Sequence, residues 1–162
     1  MTEKEQFIQN WEREFQTTLK VLKAYPADKL SLKPHERSRS AGELAWTLAS
    51  EETLIIGGVI KGNIDFSNIP PSPASLHEIL DTYERKHKEL VAGVRKLSDG
   101  DFEKKMKFMV APKTMGDIRR ADVCWMVLMD SVHHRGQFSV YLRMAGGKVP
   151  SIYGPTADEP WM

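Results

Sequence analysis

LHEILDTYERKHKELVAGVRKL, residues 76–97, decides the fold. Leu76, Leu80, Tyr83, His87, Leu90, Val94 and Leu97 recur there at spacings of four and three, the period that keeps one face of an α-helix apolar and seats it against another helix. Two starts are open: Ser75 as N-cap with Glu78 at the capping-box position, or Ser72 as N-cap with Pro73 in the first helical position. Such a seam needs helical partners, and three further segments supply them.

The first runs from about Glu3 to Ala24, with Phe7, Trp11, Phe15, Leu19 and Leu22 on one stripe. Tyr25-Pro26 ends it, because proline drives the residue before it out of the helical region. The second follows Ser40, which forms a capping box with Glu43 and opens an apolar face of Leu44, Leu48, Ile55 and Val59. Gly62-Asn63 is its expected end, and Asp65 to Pro73, with three prolines, reads as a connector. The last helix is expected to begin near Met115 to Asp117 and to reach Met144, before Ala145-Gly146-Gly147. Ser98 to Thr114 reads as a connector broken by Pro112, since no alternating β-branched run is long enough to propose a sheet. Val149 to Met162 reads as an ordered strap. The expectation is an all-α, four-helix bundle with long connectors, one domain over residues 1–162.

At 162 residues, 41% hydrophobic and 28% charged, the composition is that of a soluble globular protein. Lys and Arg number 23 against 22 Asp and Glu, so no global charge recruits it to nucleic acid or a membrane surface, and neither partner is expected. The N-terminal MTEKEQFIQNWEREF lacks the apolar core of a secretory signal, and Ala121 to Leu128 falls far short of the ~20 residues a bilayer needs. A cytoplasmic location follows as the expectation. The single cysteine, Cys124, excludes an internal disulfide, a CxxC motif and a four-cysteine zinc site; its apolar neighbours favour a structural thiol.

Chemistry concentrates in ADVCWMVLMDSVHHRGQ, residues 121–137. Val123, Val127, Asp130, His134, Gln137 and Tyr141 form one helical stripe that turns from apolar to polar midway, which predicts Asp130 and His134 facing the bundle interior. Four residues apart, they can reach one divalent ion. Thr47 and Glu51, also four apart, could meet the same cavity from the second helix, and His87 on the seam is a further contributor. The plainer alternative has Asp130 capping or pairing with Arg135, His133 or His134, with the imidazoles as satisfied surface or core groups. His133 points ~100° away from His134 and packs elsewhere. Arg135 and Arg143 are expected to pair with strap acids such as Asp158 or Glu159, and Gly136 to permit close packing.

His133-His-Arg-Gly-Gln-Phe-Ser-Val-Tyr-Leu-Arg143, followed by Val149-Pro-Ser-Ile-Tyr-Gly-Pro155 and Asp158-Glu159, resembles the C-terminal signature of the DinB/YfiT-like family. Leu44-Ala-Trp-Thr-Leu48 resembles that family's second helix. The resemblance implies a bundle of DinB type, usually a homodimer, with a divalent metal held by three histidines. In related branches the metal activates a low-molecular-weight thiol, such as bacillithiol or mycothiol, for transfer or isomerisation. Position by position, the first histidine falls on Thr47, the second on Asp130 and the third on His134, so only the third is kept. Glu51, one turn beyond Thr47, is the candidate replacement. Zinc or nickel is the cofactor implied, with iron or manganese behind them. Two classes of function follow: a metal-dependent enzyme, either a thiol-dependent S-transferase or a hydrolase acting on a small molecule, or a non-catalytic bundle that has lost its metal and binds a small ligand or partner.

Overall fold

The computed structural model describes residues 1–67 and 69–162. Its elements are α1 (Glu3–Lys23), α2 (Ala41–Glu51), a π-helical turn (Glu52–Ile56), α3 (Gly57–Lys61), α4 (Leu76–Lys96), α5 (Asp99–Glu103), β1 (Lys105–Ala111), β2 (Thr114–Arg119) and α6 (Arg120–Met144). The π turn joins α2 to α3, so the bundle has four long members: α1, α2 to α3, α4 and α6. Helices α1 and α2 each pack against both α4 and α6. Among the described residues no helix is long and apolar enough to cross a membrane.

Local chemistry sets the helix ends. Ser40 and Glu43 close the expected capping box, the Ser40 amide donating to Glu43 Oε2 at 2.6 Å and the Glu43 amide to Ser40 Oγ at 3.2 Å. Ser75, rather than Ser72, caps α4; its hydroxyl accepts from the Glu78 amide at 3.2 Å. Gly62 ends α3 with a left-handed φ of 90°, a conformation glycine adopts without steric cost.

Residues 105–119 correct the connector reading. β1 and β2 form an antiparallel hairpin in which Lys105 faces Arg119, Met106 faces Ile118 and Phe108 faces Gly116. Met106 and Phe108 are buried while Lys105 and Lys107 face outward, so the alternation Lys-Met-Lys-Phe is the strand signal, carried by unbranched side chains. The last helix therefore starts at Arg120, after the hairpin, and not at Met115 to Asp117.

The core divides into two apolar clusters. One gathers Phe15, Leu22, Leu48, Ile79, Tyr83, Phe138 and Leu142; the other gathers Phe7, Trp11, Ile56, Val94, Phe102, Val123 and Cys124. Between them lies a buried polar layer of Glu14, Thr18, Glu52, His87 and Arg135. Glu52 follows the buried Leu44 and Leu48 at regular four-residue spacing and so points inward; beyond it the wider winding of the π turn shifts the inward face by one residue, so Ile56 is buried and Ile55, expected inside, is only half-buried. Charges in such a layer must be paired to be tolerated, and they are. Arg135 Nη1 donates to Glu14 Oε2 at 2.7 Å and to Thr18 Oγ1 at 3.3 Å, Tyr153 donates to Glu14 Oε2 at 2.6 Å, and His87 Nδ1 meets Glu52 Oε1 at 2.7 Å.

Two expectations change as a result. Arg135 does not reach the strap acids, because its position on α6 aims it at Glu14 across the core; Arg143 does pair with Asp158, at 2.8 Å. Gly136, the next residue and ~100° further round the helix, lies on the outer face, with nothing within 4 Å of where a Cβ would stand.

Candidate metal centre

Glu51 closes α2, just before the π turn, and faces Asp130 and His134 on α6. His134 Nε2 lies 3.3 Å from Asp130 Oδ2 and 3.7 Å from Glu51 Oε2. One ligand atom from each residue falls within 4.8 Å of the other two. His134 Nδ1 is 3.1 Å from Gln137 Oε1. A proton on Nδ1, donated to that amide oxygen, leaves the Nε2 lone pair directed at the carboxylates, the tautomer a metal ligand requires.

The cluster lies in a surface notch between α2 and α6, not in the bundle interior as the stripe predicts. The His134 side chain is 14% exposed, Glu51 30% and Asp130 50%. The interior positions are already taken by Glu52 and Arg135, the immediate sequence neighbours of Glu51 and His134, and adjacent helical residues diverge by ~100°.

Burial, the negative Asp130 beside it and a hydrogen bond shared with Asp130 push the Glu51 carboxyl up to about 7, against a smaller opposing pull from Arg39. Two carboxylates and an imidazole thus meet where negative charge is poorly solvated. That is the condition a cation relieves. The donor set, two oxygens and one imidazole nitrogen on two rigid helices, fits a divalent ion with positions left open on the groove side.

The remaining sequence candidates lie elsewhere. The Thr47 hydroxyl donates to the Glu43 carbonyl of its own helix at 2.9 Å. His87 is sequestered with Glu52 and stacked on Phe15, their ring centroids 3.6 Å apart. His133 is exposed beside His134, its ring centroid 5.4 Å away. Cys124 is fully buried, and burial followed by the negative Glu3 pushes its thiol far up, so it offers no nucleophile at neutral pH. Gln137 and Arg39 are the neighbours that spacing alone undervalues. Gln137 lies three residues after His134, a helical contact distance, whereas Arg39 reaches the notch through the loop before α2 and carries no periodic signal.

The fold and notch define a helical bundle with a carboxylate–imidazole cluster between its second and last long helices. The DinB family model matches residues 1–161, and the chain belongs to the DinB family. The uncharacterized protein YrdA of Bacillus subtilis (strain 168) is 26% identical over 159 residues, covering 94% of this chain and 89% of that protein. The crystal structure of a DinB-like protein from Bacillus cereus ATCC 10987 superposes with a TM-score of 0.78 at 24% identity, covering 92% of this chain and 97% of the other. A second, of the DinB-like protein YjoA from Bacillus subtilis, gives 0.75 at 21% identity, with 91% and 97% covered.

Proposed function

We propose that Glu51, Asp130 and His134 hold a divalent metal ion and that the chain is a metal-dependent enzyme, a hydrolase or a thiol-dependent S-transferase acting on a small molecule. The supporting observation is the convergence of three donors within 4.8 Å on two helices, with Glu51 driven towards its neutral form by burial and by Asp130. Bound there, such an ion supplies a lowered pKa to a coordinated water or low-molecular-weight thiol and polarises an acceptor group. The protein groups do the rest: Gln137 fixes the His134 tautomer, Glu51 stands one residue round the helix from the inward Glu52 and so faces the notch, and the half-exposed Asp130 keeps the groove side accessible. Zinc suits a mixed nitrogen and oxygen set; nickel, iron and manganese are the comparison metals.

The working unit in this proposal is a cytoplasmic homodimer. On α6, Met126, Met129, Val140 and Met144 are exposed and share one face with His133, Gly136 and Gln137. The middle of that face, from Met129 to Val140, is apolar or uncharged with Asp130 at its edge, and Gly136 near its midpoint lets the helix of a second copy approach closely.

A second reading, a bundle that has lost its metal and serves as a small-ligand or partner-binding module, has one observation in its favour: Glu51 and Asp130 share a hydrogen bond, and His134 Nε2 lies at ion-pair distance from both, so the three compensate one another without a metal. Calorimetric titration of metal-free protein with zinc, nickel and manganese, followed by turnover assays with water alone and with added thiols, separates the two. Stoichiometric binding abolished by His134→Ala supports the metalloenzyme. No binding of any of the three at micromolar levels leaves the second reading.

A further inference from the structure

The cluster lies where two grooves meet, one with a cation in its lining and the other with an indole. On the His134 side, Ser38, Arg39 and Gln137 join Pro34, Leu44 and Val140 in lining a mixed groove of about 520 Å³. On the Asp130 side, Ile55, Phe108, Trp125, Met126 and Val127 help line an apolar one of about 540 Å³. Asp130 and His134 are one helical turn apart, so the grooves adjoin over ~6 Å of α6.

Arg39 is the cation lining the His134-side groove, and it forms no ion pair among the described residues. Its backbone is fixed on both sides: the Tyr141 hydroxyl donates to its carbonyl at 2.9 Å, and the next residue, Ser40, caps α2. An exposed guanidinium on a fixed backbone beside an open groove suits a carboxylate or phosphate, which it binds through paired N–H donors. In the other groove, Trp125 already spends its indole N–H on Glu3 Oε1 at 3.1 Å, so what it offers a ligand is an aromatic surface. A neutral apolar ligand would leave Arg39 unused, and a compact anion would leave the aromatic shelf wet.

We infer that the site takes a small amphipathic anion, with its acidic group on Arg39, its apolar tail on the shelf of Phe108 and Trp125, and its reacting bond between them at Glu51, Asp130 and His134. The inference rests on reading that cluster as the reaction centre. From Val127 to Gln137 the helix rises ~15 Å, the scale of a medium-chain acyl group joined to a short acidic head.

The test is binding of N-octanoylglycine, measured by calorimetry on zinc-free and zinc-treated protein, against N-octanoylglycinamide, which lacks the charge, and N-acetylglycine, which lacks the tail. Each truncation is expected to weaken binding by about tenfold or more, as is Arg39→Gln for the acid. Arg39→Gln should leave the amide's affinity unchanged. Equal affinity for acid and amide, insensitivity to Arg39→Gln, or no binding of N-octanoylglycine would overturn the inference. Zinc uptake is followed separately by elemental analysis. Protein that takes zinc without discriminating the ligands removes this inference alone; Arg39-dependent binding without zinc uptake keeps it and removes the metal reading.

Discussion

Replacing Arg135 with Met tests the buried polar layer. The guanidinium is 1% exposed and bonds to Glu14, Thr18 and Tyr153. Methionine fills much of the volume but supplies no donor, leaving the Glu14 carboxylate, itself 6% exposed, with the Tyr153 hydroxyl and the peripheral Arg13. Breaking a buried pair from one side costs about 3–5 kcal/mol, because the surviving charge stays desolvated. For a chain of this size that is a fall in Tm on the order of 6–20 °C. Burial by itself raises the Glu14 pKa, but the hydrogen bonds from Tyr153 and Arg135 outweigh it and leave the carboxyl below its usual range. The wild-type pair therefore contributes stability that is present above the unfolded-state pKa of glutamate and is lost as pH falls through the depressed folded value. In Arg135→Met burial is less opposed, so the variant's deficit should shrink on acidification. Adding Glu14→Gln should recover part of the loss at neutral pH. Calorimetric melts at pH 7 and pH 4.5 read all of this, and a drop under 2 °C for the single variant would refute the buried-pair argument.

His87→Ala is expected to destabilise by about 3 kcal/mol, since it strands Glu52 and opens a gap beside Phe15, yet to leave metal stoichiometry unchanged; denaturant melts paired with elemental analysis check both. Gln137→Ala should preserve the melt while weakening zinc affinity by about 10–100-fold, because it frees the His134 ring to change tautomer and orientation; competition titration with a chelator measures it. Val140→Glu places a charge on the exposed apolar stretch of α6; light scattering is expected to show a dimer for the wild-type chain and a monomer for the variant, a monomeric wild type would overturn the dimer proposal, and a variant that stays dimeric would move the interface elsewhere.

The four long helices were legible because their information is local and periodic. Phe7, Trp11, Phe15, Leu19 and Leu22 are all buried on α1, and Ser40 with Glu43 caps α2 as its spacing requires. What escaped depends on departures from that period. The π turn moves the inward face by one residue and exchanges Ile55 for Ile56, which no regular helical wheel anticipates. The hairpin escaped because its alternation uses Met, Phe and Lys in place of β-branched residues. At the site, the pairing of Asp130 with His134 followed from spacing, and Glu51 from its place one turn beyond Thr47. Their exposure did not follow, because it depends on the ion pairs of Arg135 and Glu52, whose partners Glu14 and His87 are 121 and 35 residues away in sequence.

The most direct test of the metal centre is anomalous diffraction at the zinc absorption edge from crystals of the zinc-loaded protein. The account predicts one strong peak per chain, about 2.0–2.2 Å from His134 Nε2 and from one carboxylate oxygen each of Glu51 and Asp130. No peak in the notch, or a peak held by other residues while these three remain bonded only to one another, would contradict it.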